Sequence, residues 1–462
     1  MDDGWAGLNP GDPADGHIFG TDAFATIQDG IDGVATDGTV HVAAGTYNEQ
    51  VFISKANLTV ESIAGATITI IDGTGVTDAA LIPGHSALVW LQKNGITFKG
   101  FTVQGYPGSW GDGGGIFIQG YNGTTVDDIS GCLVTENTIN VSTSGIDGII
   151  ISGGADNNTV SDNEISNSGG DGIIVSSDPD SVGNQITANT ITDSTNYGVS
   201  LCTATWGTQR NFQGTVISDN GISGGTHGIG VIYAIGSSHI VIQDNYIHGV
   251  TTGEGEGIEI YNGAYVDVLG NILEGNGTGI QVKESDCTGI VANYNNISGN
   301  TTYGVEAVSI TSGPLDATLN WWGDASGPYH PTTNPGGTGD EVSDNVGYSP
   351  WLGAPLVLPG VQYESLGAGT NQVVDATAEA DTIVTLTTTG NTDIYIARYQ
   401  SQPFPEEPFP DEALGKYIDI HVSNPENVVW PIFVEVHYTD GEVRAAGIAE
   451  GSLGLYYYMS PD

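Results

Sequence analysis

Cations are scarce in this chain of 462 residues. Eight Lys plus Arg stand against 55 Asp plus Glu, a formal net charge of −47. Nucleic acid and anionic membrane surfaces both require a basic footprint, so neither is an expected partner. No apolar run is long enough to span a bilayer as a helix, so membrane insertion is not expected either. Residues Met1–Trp5 show no apolar secretory segment, the pattern expected if a signal was removed or never existed. Cysteine is nearly missing. Cys132, Cys202 and Cys287 are odd in number, far apart and fit no metal or disulfide spacing, so buried or free thiols are expected. Leu- and Lys-rich helical patterning is also lacking, whereas glycine is abundant at 70 residues.

What the sequence does have is a beat. Asparagine recurs as Asn137-Thr-Ile, Asn163-Glu-Ile, Asn189-Thr-Ile, Asn220-Gly-Ile, Asn245-Tyr-Ile, Asn271-Ile-Leu, Asn295-Asn-Ile and Asn320-Trp-Trp, at steps of 26, 26, 31, 25, 26, 24 and 25 residues. A glycine followed by Ile or Val runs in phase with it, at Gly148, Gly172, Gly198, Gly228, Gly257, Gly279 and Gly304. Such a period marks repeated supersecondary units, each too small to bury its own apolar row and stable only when stacked. Alternating segments such as Thr159–Ile165, Ile258–Ile260 and Ile280–Val282 read as short strands with one row inward, separated by Gly/Asn/Ser/Asp turns. The expected architecture is a parallel β-solenoid, right-handed because parallel crossovers almost always are. In it Asn137, Asn163, Asn189, Asn220, Asn245, Asn271 and Asn295 form a structural ladder of stacked amides. Replacing Asn189 with Leu should then cost about 1–3 kcal/mol through unpaired partners.

Three parts are expected. Residues 1–37 form an N-terminal segment with a capping helix over 21–35, where Phe24, Ile27, Ile31 and Val34 fall at helical spacing and Thr21 or Asp22 serves as N-cap. Such a cap shields open strand edges. Residues 38–355 form the solenoid, about 12–13 coils. Residues 356–462 lose the beat. Segments such as 382–387 and 432–438, between Pro/Gly/Asp turns, suggest a β-sandwich with the Pro-rich stretch 402–411 as a loop.

The segment Thr26-Ile-Gln-Asp29 with Val42-Ala-Ala-Gly-Thr-Tyr-Asn-Glu49 resembles the entry to right-handed parallel β-helix proteins of the pectate-lyase-like superfamily, especially its NosD-like and carbohydrate-binding surface branch. The Asn-x-Ile and Gly-Ile beats match that family's repeat, and Asn320-Trp-Trp-Gly resembles its last coil. The resemblance covers roughly residues 20–355, and the C-terminal part resembles β-sandwich modules that follow such helices in secreted proteins. It implies an extracellular or cell-envelope location. It is specific for fold rather than function, since the scaffold carries lyases, hydrolases, epimerases, adhesins and plain surface coats.

On stacked coils, catalytic groups must come from one file of side chains about 4.8 Å apart. The file just before the repeated glycine reads Asp147, Asp171, Tyr197, His227, Glu256, Thr278 and Tyr303. Its first five members are the candidate catalytic residues, because Asp, Tyr, His and Glu side by side suit acid–base chemistry on a sugar. The longest repeat step holds an insertion whose Trp206 and Arg210 could stack on and grip a glycan. Carboxylate excess also suits hard cations, so calcium is the expected cofactor, with Asp147, Asp171, Asp178 and Asp180 as ligands and a melting temperature raised by its binding. Seven Asn-x-Ser/Thr sequons, at Asn57, Asn122, Asn140, Asn157, Asn276, Asn296 and Asn300, would suit glycosylation of an exported protein.

Two function classes emerge. The preferred expectation is a secreted or cell-surface structural or adhesive protein, glycan- or calcium-binding and self-assembling, with polysaccharide or a neighbouring surface protein as partner. Its contact surface would be an apolar outward patch of Phe117, Ile150 and Ile174. The alternative is an extracellular polysaccharide hydrolase, lyase or epimerase acting from the Asp/Tyr/His file. Cation scarcity weighs against polyuronate chemistry, and the alginate-epimerase pattern of Asp-Pro-His beside Tyr-Gly is represented only by Tyr197-Gly198.

Overall fold

Three long parallel sheets wrap one apolar core. The computed structural model describes residues 1–77, 85–106, 112–121, 125–177, 180–203, 207–235, 240–399, 414 and 416–446. One sheet has 12 strands, from Thr39–Val42 to Val346–Gly347, and two have 10, from Gly45–Tyr47 to Asn296–Ser298 and from Val51–Ile53 to Tyr303–Val308. Successive coils pair in parallel without register shifts, as where Thr159, Val160 and Ser161 face Gln185, Ile186 and Thr187. The chain is a right-handed parallel β-helix. Inward positions hold Val, Ile, Leu and Phe from Ile27 to Tyr348 in a single contiguous cluster.

Both beats of the sequence have physical causes here. Each asparagine sits at the corner between a strand of the 12-stranded sheet and the next short strand. The residue before it takes a left-handed conformation, with φ of 56° at Glu136, 55° at Asp162, 56° at Ala188, 57° at Asp219 and 54° at Asp244. That sharp turn leaves corner N–H groups without strand partners, and the asparagine of the next coil satisfies them. The Asn163 Oδ1 accepts from the backbone N and the Nδ2 of Asn137, both at 3.1 Å, and Asn189 does the same for Asn163. The series runs unbroken through Asn220, Asn245, Asn271 and Asn295 to Asn320.

The glycines answer a different constraint. A Cβ at Gly148 would lie 2.4 Å from the carbonyl oxygen of Gly172, one at Gly172 2.5 Å from that of Gly198, and one at Gly228 2.2 Å from that of Gly257. Coils approach too closely at this file for any side chain. Gly172→Ala is therefore expected to cost about 1–3 kcal/mol by overpacking, read as a lower denaturation midpoint in urea. A midpoint equal to wild type would remove this explanation of the beat.

The capping helix is shorter than the sequence suggests, Ile27–Gly33, with Thr26 as N-cap accepting from Asp29 N at 3.1 Å. Thr21 and Asp22 lie upstream of it because the Asp22 carboxylate is engaged by Ile18 N and the His17 ring. The solenoid grips the helix at both ends. Glu49 takes the N–H groups of Ile27 and Gln28, and the Lys55 ammonium donates to the carbonyls of Ile31, Asp32 and Val34. Each charge matches the helix end it faces.

Beyond the last coil, closed by the buried Trp322, two three-stranded antiparallel sheets share a core of Leu366, Val374, Val384, Leu386, Ile394 and Ile396. One sheet contains Leu356–Leu366, Thr392–Tyr399 and Tyr417–Val422, and the other Gly369–Ala376, Thr382–Thr388 and Val428–Val436. The Pro-rich stretch 402–411 lies outside the described residues. This sandwich docks on the solenoid through Leu269, Tyr294, Leu356, Tyr395 and Tyr399, and the Tyr294 hydroxyl donates to Asp419 at 2.8 Å. Among the described residues no helix is long and apolar enough to cross a membrane.

Candidate functional site

The outer face of the sheet that ends at Tyr303–Val308 carries the chemistry. Its register aligns Tyr197 with His227 and Glu256 with Thr278 and Tyr303. Strand pairing around them puts His227 one coil from Glu256, and Asp147 and Asp171 on the preceding coils. Within that file the residues divide into two groups. Asp147 and Asp171 are occupied by the fold: Asp147 Oδ1 accepts from Asp171 N at 2.6 Å, and Asp171 accepts from Tyr197 N and from Ser200 Oγ. Burial pushes the Asp171 carboxyl up from its ordinary range despite those bonds. Tyr197, His227 and Glu256 instead belong to a cleft of about 420 Å³ or stand directly behind it.

Three positions further along each strand, a second outward file, which turns from apolar to acidic along the axis, brings in groups that the sequence did not connect to the first. Its members Ser200, Gly230, Glu259 and Gln281 are paired neighbours. Tyr197 leans across Gly230 and donates its hydroxyl to Glu259 Oε2 at 2.5 Å, two coils away. A Cβ at Gly230 would lie 2.5 Å from Tyr197 Cε1, so this glycine is the gap through which the ring passes. The Tyr197 ring also stacks on His227, with centroids 4.5 Å apart. His227 Nδ1 sits 2.8 Å from Glu256 Oε2 and 4.0 Å from Glu259 Oε2. Lys283 closes the group, with Nζ 2.7 Å from Glu259 Oε1, 3.2 Å from Glu254 Oε2 and 5.7 Å from the centroid of the Tyr261 ring. Thr226, Ile232 and Gly253 complete the lining.

The electrostatics follow from burial and pairing. Glu256 and Glu259 are only 1% and 4% exposed. Desolvation, reinforced by Glu259, holds the Tyr197 phenol far above its ordinary range, so it keeps its proton at any neutral pH. For Lys283 burial pulls downward, but Glu259 and Glu254 outweigh it and the ammonium is held above its usual value. Lys283 in turn lowers the Glu254 carboxyl.

If Gly230 serves only to admit the Tyr197 ring, its effect must depend on that ring. Gly230→Ala is expected to cost about 1–3 kcal/mol in wild type and well under half of that in a Tyr197→Ala background. Denaturation of the four proteins in the double-mutant cycle reads the coupling. Equal costs in both backgrounds would sink the assignment.

The remaining sequence expectations fall elsewhere. Trp206 and Asp178 lie outside the described residues. Arg210 pairs with Ala234 on a short two-stranded ribbon, and its residue does not line the cleft. Asp180 is exposed and accepts from Asn211 N at 3.1 Å. Among the described residues no three His, Cys, Asp or Glu side chains converge as a metal site. Phe117 and Ile150, expected as an exposed contact patch, are buried at 1% and 6% exposure with Trp90 in a cluster of their own. The reason is packing: the Phe117 ring stacks on that of Trp90 at 5.0 Å, while Ile174 is partly buried beside them. Sequons Asn276, Asn296 and Asn300 are buried in corner and docking hydrogen bonds, so they are closed to glycosylation in the folded chain.

The class defined by this pairing is the right-handed parallel β-helix. Within it, residues 45–249 match the family described as periplasmic copper-binding protein (NosD). No curated protein matches the chain in sequence. Among solved structures it is similar to an alginate lyase from Paenibacillus sp. FPU-7, at 14% identity and a TM-score of 0.41, covering 63% of this chain and 96% of that one. A mannuronan C-5 epimerase A-module from Azotobacter vinelandii aligns at 16% identity and a TM-score of 0.39, covering 60% and 87%. The Dettilon tailspike protein aligns at 12% identity and 0.38, covering 79% and 72%. The fold assignment rests on the chain's own strand pairing.

Proposed function

We propose that the chain is a carbohydrate-active protein of the cell envelope or exterior, and that its cleft performs acid–base chemistry on a polysaccharide. One observation carries this reading. Glu256 and Glu259 lie on the outward face of a solenoid and yet are held almost wholly out of water, Glu256 against the His227 ring and Glu259 against the Tyr197 hydroxyl and the Lys283 ammonium. A solvated acidic coat leaves its carboxylates in water, whereas burying an ion costs several kcal/mol. Clusters of this kind concentrate at functional sites. The envelope location is supported by the match to a family described as periplasmic.

The roles follow from geometry. His227 Nδ1 lies 2.8 Å from Glu256 Oε2 without the alignment of a hydrogen bond, so the carboxylate acts on the ring by charge and contact, and the imidazole at the wall of the cleft is the candidate general base. Glu256 is a positioning residue, acting through His227. Tyr197, which holds its proton, is the donor, and Glu259 anchors it. Lys283 supplies fixed positive charge, and the Tyr197 and Tyr261 rings offer faces on which a sugar can stack. The surface-protein reading loses the Phe117/Ile150 face as its contact surface, since those side chains are buried.

Copper enters only through the description of the matched family, and the chain's thiols do not fit it. Cys132 and Cys287 belong to the apolar core, and burial pushes the Cys202 thiol up to about 12, the reverse of what a thiolate ligand requires.

The test is direct. Purified protein incubated with a panel of neutral and acidic polysaccharides should release reducing ends or unsaturated ends from at least one of them. If none of the panel is bound or cleaved, the reading falls.

A further inference from the structure

A carboxylated sugar needs a cation that is free to receive it. Among the cleft's lining residues the one Lys or Arg is Lys283, and it is already committed. Its ammonium lies between Glu259 Oε1 at 2.7 Å and Glu254 Oε2 at 3.2 Å, near the face of Tyr261. The pair with Glu259 is inside the site, and Tyr197 shares that carboxylate. The pair with Glu254 is of another kind. Glu254 lies on the turn just before the strand Glu256–Tyr261, and its side chain is 68% exposed. Its carboxylate faces solvent, Lys283 and the neighbouring Glu256, and it contributes negative charge at the lip of the cleft. Elsewhere on the solenoid, Lys55 is spent on helix carbonyls and Lys99 on Glu136. The rest of the lining, from Thr226 and Ile232 to Gly253 and the two tyrosine rings, suits an uncharged sugar surface.

Resting on the reading of the cleft as a glycan site, we propose that it takes glycans without carboxylates, and that Glu254 sets this selectivity by occupying the ammonium a uronate would need. Opposing charge at the rim adds repulsion from the same residue, and the chain's net charge of −47 works in the same direction at low salt.

Isothermal titration of wild type and Glu254→Gln at low ionic strength tests this, using hexasaccharides of galacturonate and mannuronate against cello-, laminari- and N-acetylchito-hexaose. Wild type should bind at least one neutral hexamer, and the uronates at least tenfold more weakly. In Glu254→Gln the ratio of uronate to neutral affinity should rise about two- to fivefold, the size of one ion pair at a solvated rim. That gain should shrink in high salt. A wild type that prefers uronates, or a ratio unchanged by the substitution, overturns the selectivity while leaving a glycan site in place. Binding of no hexamer of either kind removes the glycan reading, and the selectivity with it.

Discussion

Asn189→Leu is expected to be among the most damaging single substitutions in the solenoid, lowering stability by about 2–5 kcal/mol as two or more buried groups each lose a partner at 1–3 kcal/mol. The side chain is 1% exposed and makes five hydrogen bonds. Its Oδ1 accepts from Asn163 N and Nδ2, and its Nδ2 donates to the carbonyls of Val160 and Thr187 and to Asn220 Oδ1. Leucine fills similar space but can neither accept nor donate, so the backbone N–H of Asn163 is stranded in a corner that water cannot reach. The Asn163 amide nitrogen suffers less, because it also donates to Val134 and Ser161. The cost thus comes mainly from the backbone. Guanidinium denaturation of wild type and variant measures it, and a loss below about 0.5 kcal/mol, the level of an ordinary surface change, would refute the ladder as a source of stability. The range expected from sequence, about 1–3 kcal/mol, is lower because it assumes fewer bonds per asparagine than the corner provides.

The second large effect concerns turnover. On any polysaccharide the protein cleaves, Tyr197→Phe and Glu259→Gln are each expected to lower kcat by about 10²–10⁴-fold, the usual worth of a positioned acid or base. Phenylalanine keeps the ring stacked on His227 and removes only the hydroxyl that reaches Glu259. Glutamine keeps the shape of Glu259 but takes away the charge that holds Lys283. Glu256→Gln should act differently. Because it works through His227, its effect on kcat should largely vanish in a His227→Ala background. Melting temperatures within a few degrees of wild type would separate these effects from unfolding. Rates within threefold of wild type for both Tyr197→Phe and Glu259→Gln would exclude the cleft as the catalytic centre.

Much of this architecture was legible in one dimension because a solenoid repeats its constraints. Each corner needs a left-handed residue and an amide to satisfy the next coil, so asparagine returns at every corner from Asn137 to Asn320. Each close approach of coils excludes a Cβ, so glycine returns from Gly148 to Gly304. Period alone also assigns Tyr197, His227 and Glu256 to one file. What period cannot carry is contact between files. The bond from Tyr197 to Glu259 spans 62 residues and runs diagonally over Gly230, and Lys283 joins from a third file. A single signal stood in the sequence, a glycine at an outward position where Ser200 and Glu259 flank it, and it reads as a gap only once the tyrosine ring is seen to fill it.

Burial of outward side chains was likewise invisible. Alternation places Phe117 and Ile150 on the outer face, and only the packing of Trp90 against them shows that this face is a second core. The sequence by itself determined the solenoid, because coil stacking acts on every repeat in the same way. Tertiary structure alone decided which outward residues meet, because side-chain reach across files depends on one ring, one gap and one ammonium that occur once.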